Sequence, residues 1–396
     1  MNRHIVGVLV AALALGCQSG TEPGDDTDRP LDPQLVAQGR DIFRFDTFGD
    51  EVYWTDTLRM HEVISANVSP ATALQVGLKV DADALPAELR SAIAAGQVDL
   101  NSPATTVALL KLNAVLGVKG TVETVGGQDR LTRVGITCAL CHSTVDNSFA
   151  PGIGKRQDGH PNRSLNVGAI VALSPAVPAA LKAILNGWGP GRYDPRINQD
   201  GQNTPILLPP AFGLRRVAKE TFTAEGDVSY WNAYVAVTQM HGQGNFSEAR
   251  LGINVTRTPD LVTSKLPALK EYQFSLEAPA PPPGSFDVAA ANRGQQLFNG
   301  SARCSSCHNP DTEFTDINAG ITHAPSETGM NAAYAQRTSV KRYRTTPLKG
   351  LWQHPPYFHD GSAATVEAVV EHYNTALALG LTAQQKTDLA QYLKSL

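Results

Sequence analysis

The sequence predicts a mainly α chain built from two units of the same kind, the first of them enlarged by a mostly helical insertion over about residues 45–133. Three observations carry this reading. The pattern Cys-x-x-Cys-His occurs twice, at Cys138-Ala139-Leu140-Cys141-His142 and at Cys304-Ser305-Ser306-Cys307-His308. Residues 37–43 (AQGRDIF) are echoed by residues 292–298 (NRGQQLF), so each unit opens on the same kind of segment. The C-terminal end carries two apolar stripes at helical spacing, Val366, Val369, Val370 and Tyr373 on one and Leu389, Tyr392, Leu393 and Leu396 on the other.

The elements follow in order along the chain. Residues 1–17 read as a signal peptide, with Arg3 giving a positive start and residues 5–16 an uncharged run too short to span a bilayer. The run Leu13-Ala14-Leu15-Gly16-Cys17 resembles a lipoprotein box, which would make Cys17 a lipid anchor in a membrane. The rival is ordinary cleavage after Ala12-Leu13-Ala14. Either way the chain is expected to be exported, to the periplasm or to a periplasm-facing outer membrane. Residues 18–33, rich in Asp, Pro, Gly and Thr, read as a flexible tether.

Residues 34–277 form the expected first unit. Within its insertion, residues 105–116 give the clearest helical segment, and no sustained strand-type alternation competes with helix. Residues 187–213 are expected to be irregular, being rich in Gly and Pro. The proline-rich stretch 278–284 is stiff and extended and serves as the boundary. Residues 285–396 form the second unit, in which Thr382 and Gln385 match a capping box that starts the last helix.

Bulk properties narrow the chemistry. Of 396 residues, 42% are hydrophobic and 18% charged, and the formal charge is only -4. Without a basic cluster there is no electrostatic footprint for nucleic acid. Glycine-rich residues 187–191 lack the strand-before, helix-after setting of a nucleotide site, and no Ser-His-Asp order stands out. All five cysteines are accounted for by the two motifs and Cys17, so no pair remains for a structural disulfide.

The two motifs point to covalently bound haem. Two cysteines three apart can each add to one vinyl group of a haem, and the histidine that follows is placed to ligate its iron. Zinc would need a second thiol or histidine pair near each motif, and none is spaced that way. Cys138, Cys141, Cys304 and Cys307 are therefore the attachment residues, with His142 and His308 the proximal ligands of two c-type haems. Each unit is then expected to be a cytochrome c-like haem domain. On composition alone the sixth ligands are open among Met60, Met240, Met330, His61, His160, His241, His323, His354, His359 and His372.

The C-terminal stretches Thr346-Pro347-Leu348-Lys349-Gly350-Leu351, Pro355-Pro356-Tyr357-Phe358-His359-Asp360-Gly361-Ser362 and residues 364–374 (ATVEAVVEHYN) resemble the bacterial di-haem cytochrome c peroxidases and the related enzyme that matures methylamine dehydrogenase. The resemblance is good over roughly residues 291–396 and patchy before. It implies that Tyr373 occupies the sixth-ligand position of the C-terminal haem, although its place on an apolar stripe also suits core packing. It further implies His160 as a displaceable distal ligand and Trp188 as a tryptophan between the haems; a loop histidine and a packing aromatic are the plainer readings. Met240-His241 is the rival for the N-terminal haem, ahead of Met60-His61. The family's catalytic glutamate finds no assignable position. The resemblance also leaves room for a calcium ion between the domains.

Three functions fit. The first is a peroxidase-like oxidoreductase, with electrons entering from a small redox donor protein at the C-terminal haem and hydrogen peroxide or another small oxidant reacting at the N-terminal haem. The second is a pure electron carrier. The third is an oxygen-activating or protein-modifying oxidase.

Overall fold

Helix α1 (Pro33–Phe45) opens the ordered chain because Asp32 caps it, accepting from the amides of Gln34 and Leu35, and Pro33 takes the first helical position. The computed structural model describes residues 29–396, so the leader, most of the tether and Cys17 lie outside the described residues. Residues Leu31–Leu396 make one compact unit. It is mainly α, with 43% helix against 12% strand. Among the described residues no helix is long and apolar enough to cross a membrane.

After α1 come α2 (Met60–Asn67) and α3 (Pro103–Lys111). Here the structure corrects the sequence reading twice. The helix expected over residues 105–116 stops at Lys111, and Asn113 turns left-handed with φ 53°. Asparagine tolerates that conformation because its short side chain bonds locally. The chain then forms a hairpin, β1 (Val118–Val125) against β2 (Gln128–Ile136), where no strand is expected. Its turn is Gly126-Gly127, both at positive φ, the requirement of a tight hairpin turn. The alternation is weak because β1 buries no residue, while β2 buries Leu131, Val134 and Gly135.

Further on, β3 (Ser143–Val145) pairs with β4 (Arg156–Asp158), and β5 (Arg192–Tyr193) with β6 (Ile206–Leu207). Four helices complete the frame: α4 (Leu266–Ser275), α5 (Val288–Asn299), α6 (Val366–Ala376) and α7 (Ala383–Lys394). The expected capping box starts α7: Thr382 Oγ1 accepts from the Gln385 amide and Gln385 Oε1 from the Thr382 amide. Val366 and Val370 are buried on α6, and Leu389, Tyr392 and Leu393 on α7.

The echoed segments become matching helix crossings. In α1, Gly39 lies against α4 so closely that a Cβ would overlap the carbonyl oxygen of Ala268. In α5, Gly294 meets α7 the same way, against the carbonyl oxygen of Asp388. One turn beyond each glycine a phenylalanine packs edge-on to a tyrosine. Phe43 and Tyr272 stand 5.5 Å apart at 63°, Phe298 and Tyr392 5.2 Å apart at 67°. Such edge-to-face pairs add about 0.5–1.5 kcal/mol beyond the area they bury.

Asp50, fully buried beside the end of β2, accepts from the Ile136 amide, and burial pushes its carboxyl up to about 9. The folded pKa lies above that of the unfolded chain. The group's stabilising contribution is therefore complete at acid pH and lost as pH rises from the ordinary carboxylate range through about 9.

Two outcomes follow from these contacts. Gly39→Ala or Gly294→Ala should each destabilise by about 1–3 kcal/mol or more, since the added methyl meets backbone rather than a movable side chain. Unchanged denaturant midpoints in both variants would show that the crossings are looser than described. Asp50→Asn, by contrast, should match the parent in urea at pH 4 and exceed it at pH 8. Equal gains at both pH values would refute the assignment of a neutral buried carboxyl.

Candidate haem sites

The first motif hangs between the hairpin and the strand pair that follows it. β2 ends at Ile136, Thr137 donates its amide to Gly117 and its hydroxyl to the Arg44 carbonyl, and residues Ala139–His142 make a single helical turn. Gly117, at φ 73°, lets the backbone of Leu140 press directly against it. Downstream, the Gly159 amide donates to the His142 carbonyl at 2.8 Å and the Asn162 amide to the Cys141 carbonyl at 2.9 Å.

Asp158 binds this assembly to the first helix pair. Its carboxylate accepts from Ser143 Oγ at 2.6 Å, Tyr272 Oη at 2.6 Å and Arg44 Nε at 2.5 Å, joining β3, α4 and α1 at one 2% exposed side chain. Nothing in the sequence singles it out.

His142 Nδ1 lies 3.1 Å from the Pro209 carbonyl, and His308 Nδ1 3.0 Å from that of Phe314. A carbonyl can only accept, so Nδ1 carries the proton in both rings and Nε2 keeps its lone pair. Burial pulls both imidazoles down to about 4, so both are neutral at ordinary pH. A neutral imidazole oriented through its second nitrogen is the form that binds a metal. Burial also pushes the Cys138 and Cys141 thiols up to about 12 and the Cys304 thiol up to about 11, so they rest as protonated thiols. The donor set at each motif, two thiols and one neutral imidazole held at Nδ1, thus fits a c-type haem.

The second motif follows α5 through Arg303, left-handed at φ 54°, and a short 3-10 turn, Cys304–Ser306. Tyr373, on α6, stands near both thiols of this motif. It is half-buried, edge-on to Phe358 at 5.9 Å, and its hydroxyl has no partner among the described residues. Burial pushes its phenol up to about 12. Its rivals are engaged elsewhere: His372 Nε2 lies 2.8 Å from the Thr328 carbonyl, and Met330 packs with Tyr334 and Tyr343.

Of the other named residues, His160 sits on the loop bonded to the backbone of His142 itself. Its Nδ1 is 3.3 Å from the Asp158 carbonyl and its ring is edge-on to Phe212 at 5.2 Å. Trp188 is buried in the core of the first part, its indole donating to Asn203 at 2.8 Å and standing edge-on to Tyr193 at 5.5 Å. His241 is left-handed at φ 65° and stacks on Tyr53 at 3.7 Å. Met60 is buried on α2, and His61 beside it keeps a buried Nδ1 with no partner. His323 has both nitrogens engaged, by Asp316 and Glu327, and His359 bonds Tyr343. Among the described residues, the group able to gather three His, Cys or acidic donors is Cys307, Asp316 and His323. It contains a cysteine of the second CxxCH motif and has too few oxygen donors for calcium.

Two arginines that sequence reading passes over stand at the first motif. Arg163 lies near His142 and His354, donates Nη1 to the Leu208 carbonyl at 2.8 Å, and has a buried Nε with no partner. Arg192 donates Nη2 to the Asp360 carbonyl at 3.3 Å. Each is an ordinary arginine in the sequence; only the fold shows that no carboxylate meets it.

Residues 291–396 match the cytochrome c family model. The methylamine utilization protein MauG of Methylorubrum extorquens is 34% identical over 122 residues, covering 28% of this chain and 34% of that protein. Cytochrome-c peroxidase IdrP1 of Denitromonas iodatirespirans is 26% identical over 151 residues, covering 27% of this chain and 40% of that protein. The chain thus spans between a third and two fifths of these relatives' lengths. A solved MauG-like protein associated with microbial copper homeostasis aligns with a TM-score of 0.35 at 19% identity, covering 49% of this chain and 74% of that one. Residues 291–396 are thus a cytochrome c domain, and the matched stretches of the chain are similar to a MauG protein and to a bacterial cytochrome-c peroxidase.

Proposed function

We propose that this chain is an exported di-haem c-type cytochrome that works as a peroxidase-like oxidoreductase. The observation that carries the reading is duplication: two CxxCH motifs, each with its histidine held at Nδ1 by a backbone carbonyl, each beside a glycine-closed helix crossing. On this reading residues 34–277 and 285–396 are two cytochrome c-like haem domains flanking the 278–284 linker, and the first contains the insertion.

The bound haems supply one-electron chemistry at their irons. Cys138, Cys141, Cys304 and Cys307 hold them, and His142 and His308 offer Nε2 to the metal. Tyr373 presents its unpartnered hydroxyl to the C-terminal site. A phenolate there lowers the reduction potential and favours ferric iron, which suits storage of oxidising equivalents. On this reading a small redox donor protein would supply electrons at the C-terminal haem, and hydrogen peroxide or another small oxidant would react at the N-terminal one. Export through the leader places the protein in the periplasm, with Cys17 as a lipid anchor to the membrane.

Protein matured in a bacterial export pathway should carry the mass of two haems, and Cys304→Ala with Cys307→Ala should reduce this to one. Only one haem in the parent chain would remove the foundation of this reading. Tyr373→Phe should alter the absorption and paramagnetic resonance spectra of the C-terminal haem while both haems stay attached; identical spectra would exclude ligation by Tyr373.

A further inference from the structure

Among the described residues, four arginines with buried side chains are each paired with a carboxylate. Arg196 is paired with Glu225, Arg337 with Asp194 and Asp200, Arg344 with Glu220, and Arg156 with Asp81. That is the expected pattern, because a guanidinium removed from water needs an anion to offset its lost hydration. Arg163 departs from it. Its Nε is buried without a partner, its Nη1 meets only the Leu208 carbonyl, and among the described residues no carboxylate faces it. The charges and dipoles around it come from His142, His354, Tyr357 and the second cation, Arg192. Arg192 in turn meets only the Asp360 carbonyl, while the Asp360 carboxylate is turned to the Ser362 amide.

The position of this pair is informative. Arg163 follows directly on Asn162, whose amide is bonded to the Cys141 carbonyl, so the cation is fixed to the first motif. Its other neighbours, His354 and Tyr357, belong to the C-terminal part, as do the Asp360 carbonyl and Gly361 that Arg192 reaches. Two guanidiniums therefore converge where the first motif meets the C-terminal part, with donors to spare and no anion from the described residues. A c-type haem brings two propionate carboxylates, and planar guanidinium donors match carboxylate geometry.

We propose that Arg163 and Arg192 form a propionate-binding pair at the junction of the two parts, anchoring the carboxylate edge of the haem attached at Cys138 and Cys141. The assignment rests on the two-haem reading given above. The pair acts as a positioning and tuning device rather than a catalytic one. Positive charge held against the propionates disfavours ferric iron, so it raises that haem's potential and sets its driving force relative to the C-terminal haem.

The test uses holoprotein of the parent chain, Arg163→Gln, Arg163→Lys and Arg192→Gln, with haem content from the pyridine haemochrome and midpoint potentials from spectroelectrochemical titration. Two attached haems in the parent keep the underlying reading separate from this one; fewer would defeat that reading first. The expected result is that Arg163→Gln and Arg192→Gln each lower the potential of one haem and leave the other unmoved, with Arg163→Lys recovering most of the shift. If Arg163→Gln fails to retain haem, Arg192→Gln decides alone, since it leaves Arg163 in place. Unchanged potentials in the variants that hold both haems would overturn the proposal. So would a parent potential that moves when inorganic phosphate is added to phosphate-free buffer, because the pair would then be open to anions from solution.

Discussion

The architecture depends on two places where helix backbones touch directly. At Gly39 and again at Gly294 the missing side chain lets one helix settle onto a carbonyl of its partner, and the phenylalanine one turn later locks against a tyrosine. This contact fixes the angle and depth of each pair, so it also fixes where the chain between them can run. In both parts the CxxCH turn lies in that intervening chain, and its surroundings inherit the rigidity of the crossing.

Rigidity reaches the first motif through Asp158, whose carboxylate joins both helices of the first pair to the strand that begins at Ser143. It reaches the imidazoles through backbone carbonyls, which cannot exchange roles as a water or a hydroxyl would. The result is a histidine with one tautomer and one orientation before any metal arrives. Ligand preorganisation of this kind is what outer-shell partners provide in metal sites generally.

Much of this was legible in the sequence because it is written in local patterns. Two cysteines and a histidine within five residues leave little room for another reading, and the Thr382 capping box and apolar stripes of the last two helices depend on neighbours only a turn away. The echo of residues 37–43 in residues 292–298 carried the helix crossings, although only the fold showed that the shared glycine was the point of contact. The hairpin of residues Val118–Ile136 was missed because β1 is largely exposed and has little reason to alternate. Asp158, Arg163 and Arg192 were illegible for a different reason: each acquires meaning from partners far along the chain, and a lone charged residue carries no periodicity. Which imidazole nitrogens the fold engages, as at His160, His323, His359 and His372, likewise depends on partners that no local pattern announces.

The two crossings differ in one respect that bears on how the molecule comes into being. The C-terminal pair, α5 with α7, closes over a shorter stretch of chain, whereas α1 must wait for α4, which is made only after nearly all of the N-terminal part. Contacts of long sequence separation are slow to form because loop closure costs entropy before any contact repays it. The Cys138 and Cys141 thiols therefore stay reachable while their half of the protein is still open. On the proposed reading, haem would be attached at that open stage, and the late arrival of α4 would close over it.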